Sequence, residues 1–344
     1  MSPARDPSAV PPIEPVSEGL DRPFWSVMMP AYNAGDYLEQ SLRSVLDQDP
    51  GPHRMQIAVV DDASAGVDRA EAIVRRLAPA RVEFHRAAEN LGLAGNWNRC
   101  IGLARGHWVH LLHQDDWILP GFYEQLGRAE AEAPGVGAAF CRQFFADRDG
   151  HWTALSHLEG RAAGVLESLL VRLSSFQPIQ CPSIVVRRST YEALGGFQGD
   201  LRYNLDWEMW CRIASRYPVW YEPSPLACYR QHEGSETAAL MEAGAVVPDI
   251  RRAISIVRPY MPTELHPSIG LGKLDWVRHV MLREADRALT RGDYRSGLRH
   301  LRQAVACDPS GRWRHDIWSR RRWALKLIVR QSLGLDRPRA APGP

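Results

Sequence analysis

An α/β protein with a mostly parallel sheet, followed by a smaller all-α C-terminal region, is the fold class that the sequence predicts. Two observations carry it. Over the first part of the chain, short apolar runs alternate with amphipathic stretches of 10–15 residues, the pattern of successive βαβ units. After about residue 240 the strand signal stops and only helical periodicity remains. Composition agrees. The 344 residues are 45% hydrophobic and 24% charged, ordinary for a globular protein, and the length suggests about two domains.

The elements follow in order. Residues 1–23 are Pro-rich and poor in large apolar side chains, so a disordered leader is expected. WSVMMPAYN from Trp25 is a buried strand ending in a turn, and YLEQSLRSVLDQ is a helix with Leu38, Leu42, Val45 and Leu46 on one face. MQIAVVDDAS is a second strand that ends in two carboxylates. DRAEAIVRRLA is a helix, RVEFHRA a short strand, and AGNWNRCIGLARG a helix closed by Gly106. HWVHLLHQDD is a further strand ending in acids.

From about 137 to 235 the pattern becomes α+β with longer loops. PSIVVRRSTYEALGGF is a strand, a helix and a Gly-Gly stop, and NLDWEMWCRIASRYP is a helix that turns Trp207, Trp210 and Ile213 partly inward. Residues 274–310 form a helical hairpin turning at Gly292-Asp293. It resembles a single tetratricopeptide unit in Ala285, Leu289, Gly292, Tyr294, Leu298, Ala304 and Pro309. One such unit cannot bury its own face, so it must pack on the preceding domain or on a partner.

Several classes are excluded. Forty-two Lys and Arg against 40 Asp and Glu give a net charge of +2, no bulk signal for nucleic acid. The six cysteines (Cys100, Cys141, Cys181, Cys211, Cys228, Cys307) are widely spaced, which reads as free thiols of a reducing compartment. No apolar run reaches the roughly 20 residues of a membrane helix. The first residues lack the apolar core of a signal peptide. A cytoplasmic protein is expected.

Polar residues gather where the strands end. Pro30-Ala31-Tyr32-Asn33, Asp61-Asp62-Ala63-Ser64 and His113-Gln114-Asp115-Asp116 all lie at carboxyl ends, where open α/β sheets bind ligands. Turn formation and helix capping explain one such cluster easily. Three in succession, two with paired carboxylates, point to one functional rim.

Together these stretches resemble the family 2 glycosyltransferases of the type A nucleotide-diphospho-sugar transferase fold, which is Rossmann-like. The resemblance covers residues 24–235, through SVMMPAYNAGDYLEQSLRSVLDQ, IAVVDDAS, NLGLAGNWNRCIGLARGHWVHLLHQDDWILPGFY, GGF, LDWEMW and YRQHEGS. It implies a catalytic domain over 24–235, an α-helical region over 236–310 and a basic amphipathic tail over 311–344.

By this resemblance Asp62 holds the nucleotide base, and Pro30, Ala31, Tyr32 and Asn33 line base and ribose. Asp61 is left as structural. His113-Gln114-Asp115-Asp116 stands where the family carries its D-x-D metal motif, with His113 in place of the first acid. Asp115 is then the expected ligand for Mn2+ or Mg2+, joined by His232, and Gln114 lies beside the donor. Arg230 is expected to pair with phosphate. Asn90, Gly92 and Asn98 enter the helix before the third rim strand, with Asn98 a candidate substrate contact. Asp206 matches the second position of the family's E-D motif and so the inferred general base, although Leu205 replaces the preceding Glu. Capping of its own helix is the competing role for Asp206.

The implied activity is a metal-dependent, inverting transfer of a sugar from a nucleotide diphosphate sugar, UDP- or dTDP-linked by preference, to a hydroxyl of a glycan or lipid-linked acceptor. Single additions are expected, because the Q-x-x-R-W signature of processive relatives is missing. A nucleotidyltransferase would need a basic, Gly-rich first loop, and AYNAGDY has no Lys or Arg. A non-catalytic nucleotide-binding or interaction protein of the same fold is the remaining alternative. The tail segment 311–335 interleaves Arg and Lys with Trp313, Trp318 and Trp323, which suits either a peripheral seat on the inner face of the cell membrane or ordinary docking on the domain.

Overall fold

A computed structural model of the chain describes residues 10–17, 19, 21–35, 37–65 and 69–308. The basic tail expected over 311–344 lies outside them. The first half runs β1 (Trp25–Ala31), α1 (Tyr37–Leu46), β2 (Met55–Asp61), α2 (Arg69–Leu77), β3 (Glu83–Arg86), α3 (Gly92–Leu103), β4 (Trp108–Leu111), β5 (Trp117–Ile118) and α4 (Phe122–Glu132). Then follow β6 (Ala138–Ala146), β7 (Trp152–Leu155), β8 (Gly164–Val165), α5 (Leu169–Ser175), β9 (Ile184–Arg187), α6 (Arg188–Leu194), α7 (Leu205–Ala214) and β10 (Val219–Arg230). Four helices close the described chain: α8 (Glu236–Ala243), α9 (Val246–Val257), α10 (Leu271–Thr290) and α11 (Tyr294–Ala306).

The strands form one ten-stranded sheet of order β3-β2-β1-β4-β9-β6-β10-β5, with β7 on β6 and β8 on β10. Pairing is parallel through β3-β2-β1-β4 and again between β6 and β10, while β9 runs antiparallel to both its neighbours. Every residue of β1 and β2 is buried, because helices cover both faces. Val27 and Met29 join Leu38, Leu42, Trp108 and Phe122 on one face, whereas Met28 joins Trp97, Ile101, Phe140 and Trp207 on the other. That is why these strands read as mostly apolar runs rather than alternating ones.

β10 gave no strand signal in the sequence, since Pro223 and Pro225 interrupt it. Register shifts between Glu222 and Ala227 absorb Pro225, and the pairing with β6 resumes beyond them. The consequence is functional: Tyr229 and Arg230 end a buried strand, not a surface loop.

The leader expectation needs correction over residues 10–14. Ile13 is buried, Pro11 accepts a hydrogen bond from the Gly196 N–H (2.8 Å) and Glu14 O accepts one from Arg188 (2.9 Å). An Ile between prolines was enough to dock this strap. The helical hairpin also finds its cover. α10 and α11 pack with α8 and α9 in a cluster around Ile250, Val277, Ala285 and Leu301. The hairpin meets the sheet domain at α5, where Gly270 N–H bonds Ser174 O at 2.7 Å and a Cβ on Gly272 would sit 2.9 Å from Ser175 O. No helix among the described residues is long and apolar enough to cross a membrane.

Candidate functional site

The first three strand ends are laced together. Asn33 and Ala63, which follow β1 and β2, both take left-handed backbone conformations (φ 47° and 54°). Such strain in non-glycine residues persists where the surroundings hold it, commonly at functional sites. Here Asn33 N–H donates to Ser64 Oγ (2.7 Å) and Ala65 N–H to Asn33 Oδ1 (3.0 Å). Tyr32 N–H donates to Gln114 Oε1 (3.0 Å), and Gln114 Nε2 donates back to Tyr32 O (3.1 Å). Pro30 and Ala31 are buried inside β1, so the turn presents Tyr32 and Asn33. The three clusters do meet on one rim.

The two aspartates after β2 differ in work. Asp61 is fully buried and accepts from the Ser64 N–H and hydroxyl, which closes the turn and leaves it structural. Asp62 is also buried, but it takes backbone N–H groups from the start of α3 instead, with Oδ1 on the Leu91 N–H at 2.8 Å. Burial pushes its carboxyl above the ordinary range, against the pull of those bonds. An acceptor poised at the floor of the rim is what base recognition requires.

The loop after β4 is the densest part of the site. His113, Asp115 and Asp116 bring one ligand atom each within 4.8 Å of one another. His113 packs against Trp97 with the rings tilted (centroids 4.6 Å apart), and burial favours its neutral imidazole, the state that ligates metal. Asp115 Oδ2 lies 2.9 Å from His232 Nε2, so the two expected metal ligands touch although they are far apart in the chain. Burial works to raise the Asp115 carboxyl, yet the hydrogen bond with His232 leads the influences that bring it below the usual range. Asp116 is buried with Oδ1 on the Arg230 N–H (2.9 Å), and burial together with Asp115 raises it well above that range. His113 Nε2 and Asp116 Oδ2 are buried with no hydrogen-bond partner among the described residues. Orphaned donor atoms of this kind beside a carboxylate–imidazole pair fit a divalent cation.

The guanidinium of Arg230, expected to pair with phosphate, has several partners within the protein. It donates to Asp115 O (2.9 Å), Arg148 O (3.0 Å) and Gln40 Oε1 (2.6 Å), and it lies over the Tyr37 and Trp117 rings. Being buried with its fork spent, it braces the acidic loop from behind. Asn98 is likewise architectural. Its side-chain amide clasps Phe197, donating to the carbonyl (3.0 Å) and accepting from the N–H (2.6 Å). A Cβ on Gly196 would come within 2.2 Å of Asn98 Oδ1, which is why the Gly-Gly stop precedes this Phe.

Asp206 is half-buried at the start of α7. Its Oδ1 accepts from the Trp207 N–H (2.7 Å) and its Oδ2 from Gln177 Nε2 (2.5 Å). Burial raises its carboxyl, opposed mainly by Lys273. Cys181 Sγ lies 4.0 Å from Asp206 Oδ2, and its thiol and the hydroxyl of Tyr229 are both within electrostatic reach of Asp206, Asp115 and Asp116. Leu205, where the resemblance expects Glu, is a core residue. Glu208, the competing acid, is buried in an ion pair with Arg212 at 2.7 Å and cannot serve. Sequence reasoning missed Gln177 and Lys273, isolated side chains with no motif around them that only the fold brings to the site. It also passed over Trp97, although that residue lies within a stretch that carries the resemblance.

The family description Glycosyl transferase family 2 matches residues 26–192. The chain is 30% identical over 269 residues to the uncharacterized protein MT1568 of Mycobacterium tuberculosis, covering 74% of this chain and 83% of that one. The chain belongs to glycosyl transferase family 2. Solved structures share the fold of this glycosyltransferase. S. aureus TarS 1–349 in complex with UDP-GlcNAc aligns with a TM-score of 0.60 and 14% identity, over 90% of this chain and 92% of that one. The mannosyltransferase PcManGT from Pyrobaculum calidifontis, in complex with GDP-Man and Mn2+, aligns with a TM-score of 0.53 and 19% identity, over 90% and 89%. The type A fold expected from the sequence is therefore the observed one.

Proposed function

We propose that this family 2 glycosyltransferase moves a sugar, with inversion, from a nucleotide diphosphate sugar to a hydroxyl of a glycan or lipid-linked acceptor, and that it needs a divalent metal. The observation that carries the reading is the contact of Asp115 with His232 at 2.9 Å, beside the buried and unpartnered His113 Nε2 and Asp116 Oδ2.

Asp62 would accept from the base, and Tyr32 and Asn33 would line base and ribose, with Gln114 fixing the turn that presents them. Asp115 and His232 would hold Mn2+ or Mg2+, with His113 and Asp116 supplying further donor atoms; imidazole in that set suits manganese. When bound, such an ion supplies Lewis-acid stabilisation of the departing diphosphate. The chain's own residues do the rest. Asp206 Oδ2 takes the proton of the acceptor hydroxyl as its oxygen bonds to the anomeric carbon. The bond from that carbon to the diphosphate oxygen breaks, and its electron pair leaves with the diphosphate. Arg230 keeps the acidic loop in place rather than binding phosphate itself. UDP- and dTDP-sugars are the favoured donors; the structural neighbours carry UDP-GlcNAc and GDP-Man. A cytoplasmic enzyme seated on an anionic membrane surface through residues 311–335 completes the proposal, and co-sedimentation with anionic vesicles tests that part.

The central test is Asp206→Asn. Calorimetry with UDP, dTDP and GDP, each with and without manganese, identifies the nucleotide. Transfer from the matching sugar donor should then fall by about 10²–10⁴-fold, with nucleotide affinity nearly unchanged. Transfer near the wild-type rate removes Asp206 as the base. Failure of every nucleotide to bind would favour a non-catalytic member of the fold.

A further inference from the structure

The buried ammonium of Lys273 is the feature of the site that the family reading leaves unused. Lys273 sits on α10, in the helical region beyond the catalytic domain, and only 8% of it is exposed. Its Nζ donates to Gln177 Oε1 at 2.8 Å and lies over the rings of Trp207 (5.0 Å) and Tyr203 (5.7 Å). Gln177 in turn donates from Nε2 to Asp206 Oδ2 (2.5 Å) and to Ile179 O (3.0 Å).

We infer that Lys273 is a positioning residue for Asp206, orienting the Gln177 amide so that its N–H faces the carboxylate and keeps it ionised. The inference rests on the reading of Asp206 as general base.

The orientation follows from the hydrogen-bonding capacities. An ammonium only donates, and an ionised carboxylate only accepts. Between them a Gln amide has one satisfactory arrangement, carbonyl to Lys273 and N–H to Asp206. The flipped amide would aim N–H at the ammonium and oxygen at the carboxylate, and both contacts would repel. Ile179 O, also an acceptor, favours the same arrangement. Without the ammonium it alone opposes the flip once Asp206 is protonated, because the carboxylic acid can donate to the amide oxygen; Lys273 supplies the second lock.

The charges that face this ammonium are those of Asp206 and Asp249. Burial pushes up the thiols of Cys181 and Cys211 and the hydroxyls of Tyr203 and Tyr229, so all four stay neutral around Asp206 and Lys273. Asp249 acts on Lys273 from α9, but its oxygens are occupied by the Arg202 N–H and by the backbone and side chain of Asn204. Burial lowers the Lys273 ammonium to about 8, and Asp206 is the first influence that resists it. A helix face needing only bulk would carry Met or Leu, and exchanging buried ionic groups for apolar ones is often neutral or stabilising. A charge kept there serves the site. The helical region is then part of the catalytic centre, not an appendage to it.

The test follows the protonation of Asp206 itself in the full-length protein. Infrared difference spectra between each protein and its Asp206→Asn counterpart isolate the carboxyl band of this side chain, and its intensity is followed across pH. Relative to wild type, Lys273→Met should move the midpoint upward by about one unit or more. Gln177→Leu should move it the same way while leaving Lys273 in place, and it serves as the reading if Lys273→Met does not fold. Lys273→Arg should keep it near wild type. A midpoint unchanged in the folded Lys273→Met protein, or in Gln177→Leu when that is the reading, overturns the inference. Transfer surviving Asp206→Asn is a separate outcome: it overturns the base assignment and leaves the titration result as it stands.

Discussion

The side-chain amide of Gln114 pairs with both backbone polar groups of Tyr32, at 3.0 and 3.1 Å. The strand-end loop that carries the acids is thereby tied to the turn that carries Asn33, and the left-handed Asn33 is held between Gln114 and Ser64. Both bonds are exposed to solvent, so their worth lies in the shape of the rim rather than in fold stability.

Gln114→Leu should therefore weaken nucleoside diphosphate binding by about 3–10-fold, the equivalent of one or two ordinary hydrogen bonds. Its thermal midpoint should stay within about 2 °C of wild type, since surface changes rarely exceed about 0.5 kcal/mol. Calorimetry and thermal unfolding check the two halves. A large fall in stability with intact binding would show that the clamp serves the fold instead.

His232→Ala isolates the metal loop. The Asp115 carboxyl lies below the usual carboxylate range, the hydrogen bond with His232 being the main influence against its burial. A depressed carboxyl contributes stability above its unfolded pKa and loses it as pH falls through the folded one. That loss therefore lies on the acid side of the usual aspartate range, and at neutral pH the variant should stay folded. Its manganese-dependent nucleotide affinity should fall by about 10–100-fold. EDTA should bring wild type to the level of the variant, and equal manganese dependence in both would move the metal away from His232.

Much of this arrangement is legible in the sequence, and what is not has physical causes. β1, β2 and β4 are mostly apolar runs closed by polar residues, so strand, helix and rim could all be placed. The setting of Arg230 is harder to read, because Pro223 and Pro225 hide the strand it ends. Asn98 looks polar and near the rim, but which way its amide faces depends on Phe197, roughly a hundred residues on. The Lys273–Gln177–Asp206 series joins three elements that no local pattern connects.

Glu208 shows how the same helix separates structural from chemical acids. It points away from Asp206 into the core and pairs with Arg212, which also donates to the carbonyls of Leu194 (2.7 Å) and Gly196 (2.9 Å). The pair thus fastens α7 to the Gly-Gly segment that Asn98 clasps. Glu208→Ala leaves a buried guanidinium without its counter-charge and should destabilise the protein by about 3–5 kcal/mol in urea unfolding. A change below about 1 kcal/mol would mean that the backbone carbonyls alone satisfy Arg212.

Lys273 should show the opposite sign. Burial lowers its ammonium from the ordinary 10.5 to about 8, only partly offset by Asp206. Between those two values the unfolded chain binds more protons than the folded one, so the stability of wild type gains a rising contribution from about pH 8 to 10.5. Below pH 8 the full penalty of the buried charge is present. Lys273→Met should therefore be more stable than wild type at pH 7, by up to about 3 kcal/mol, and its advantage should shrink as pH climbs through that window. Urea unfolding of both proteins at pH 7, 8.5 and 10 measures the difference directly, with the titrating tyrosines and cysteines common to both. A variant less stable than wild type at pH 7 would mean that the Gln177 bond and the ring contacts outweigh desolvation, and Lys273 would then be holding the fold. A more stable but catalytically slower variant is what a charge kept for the sake of Asp206 requires.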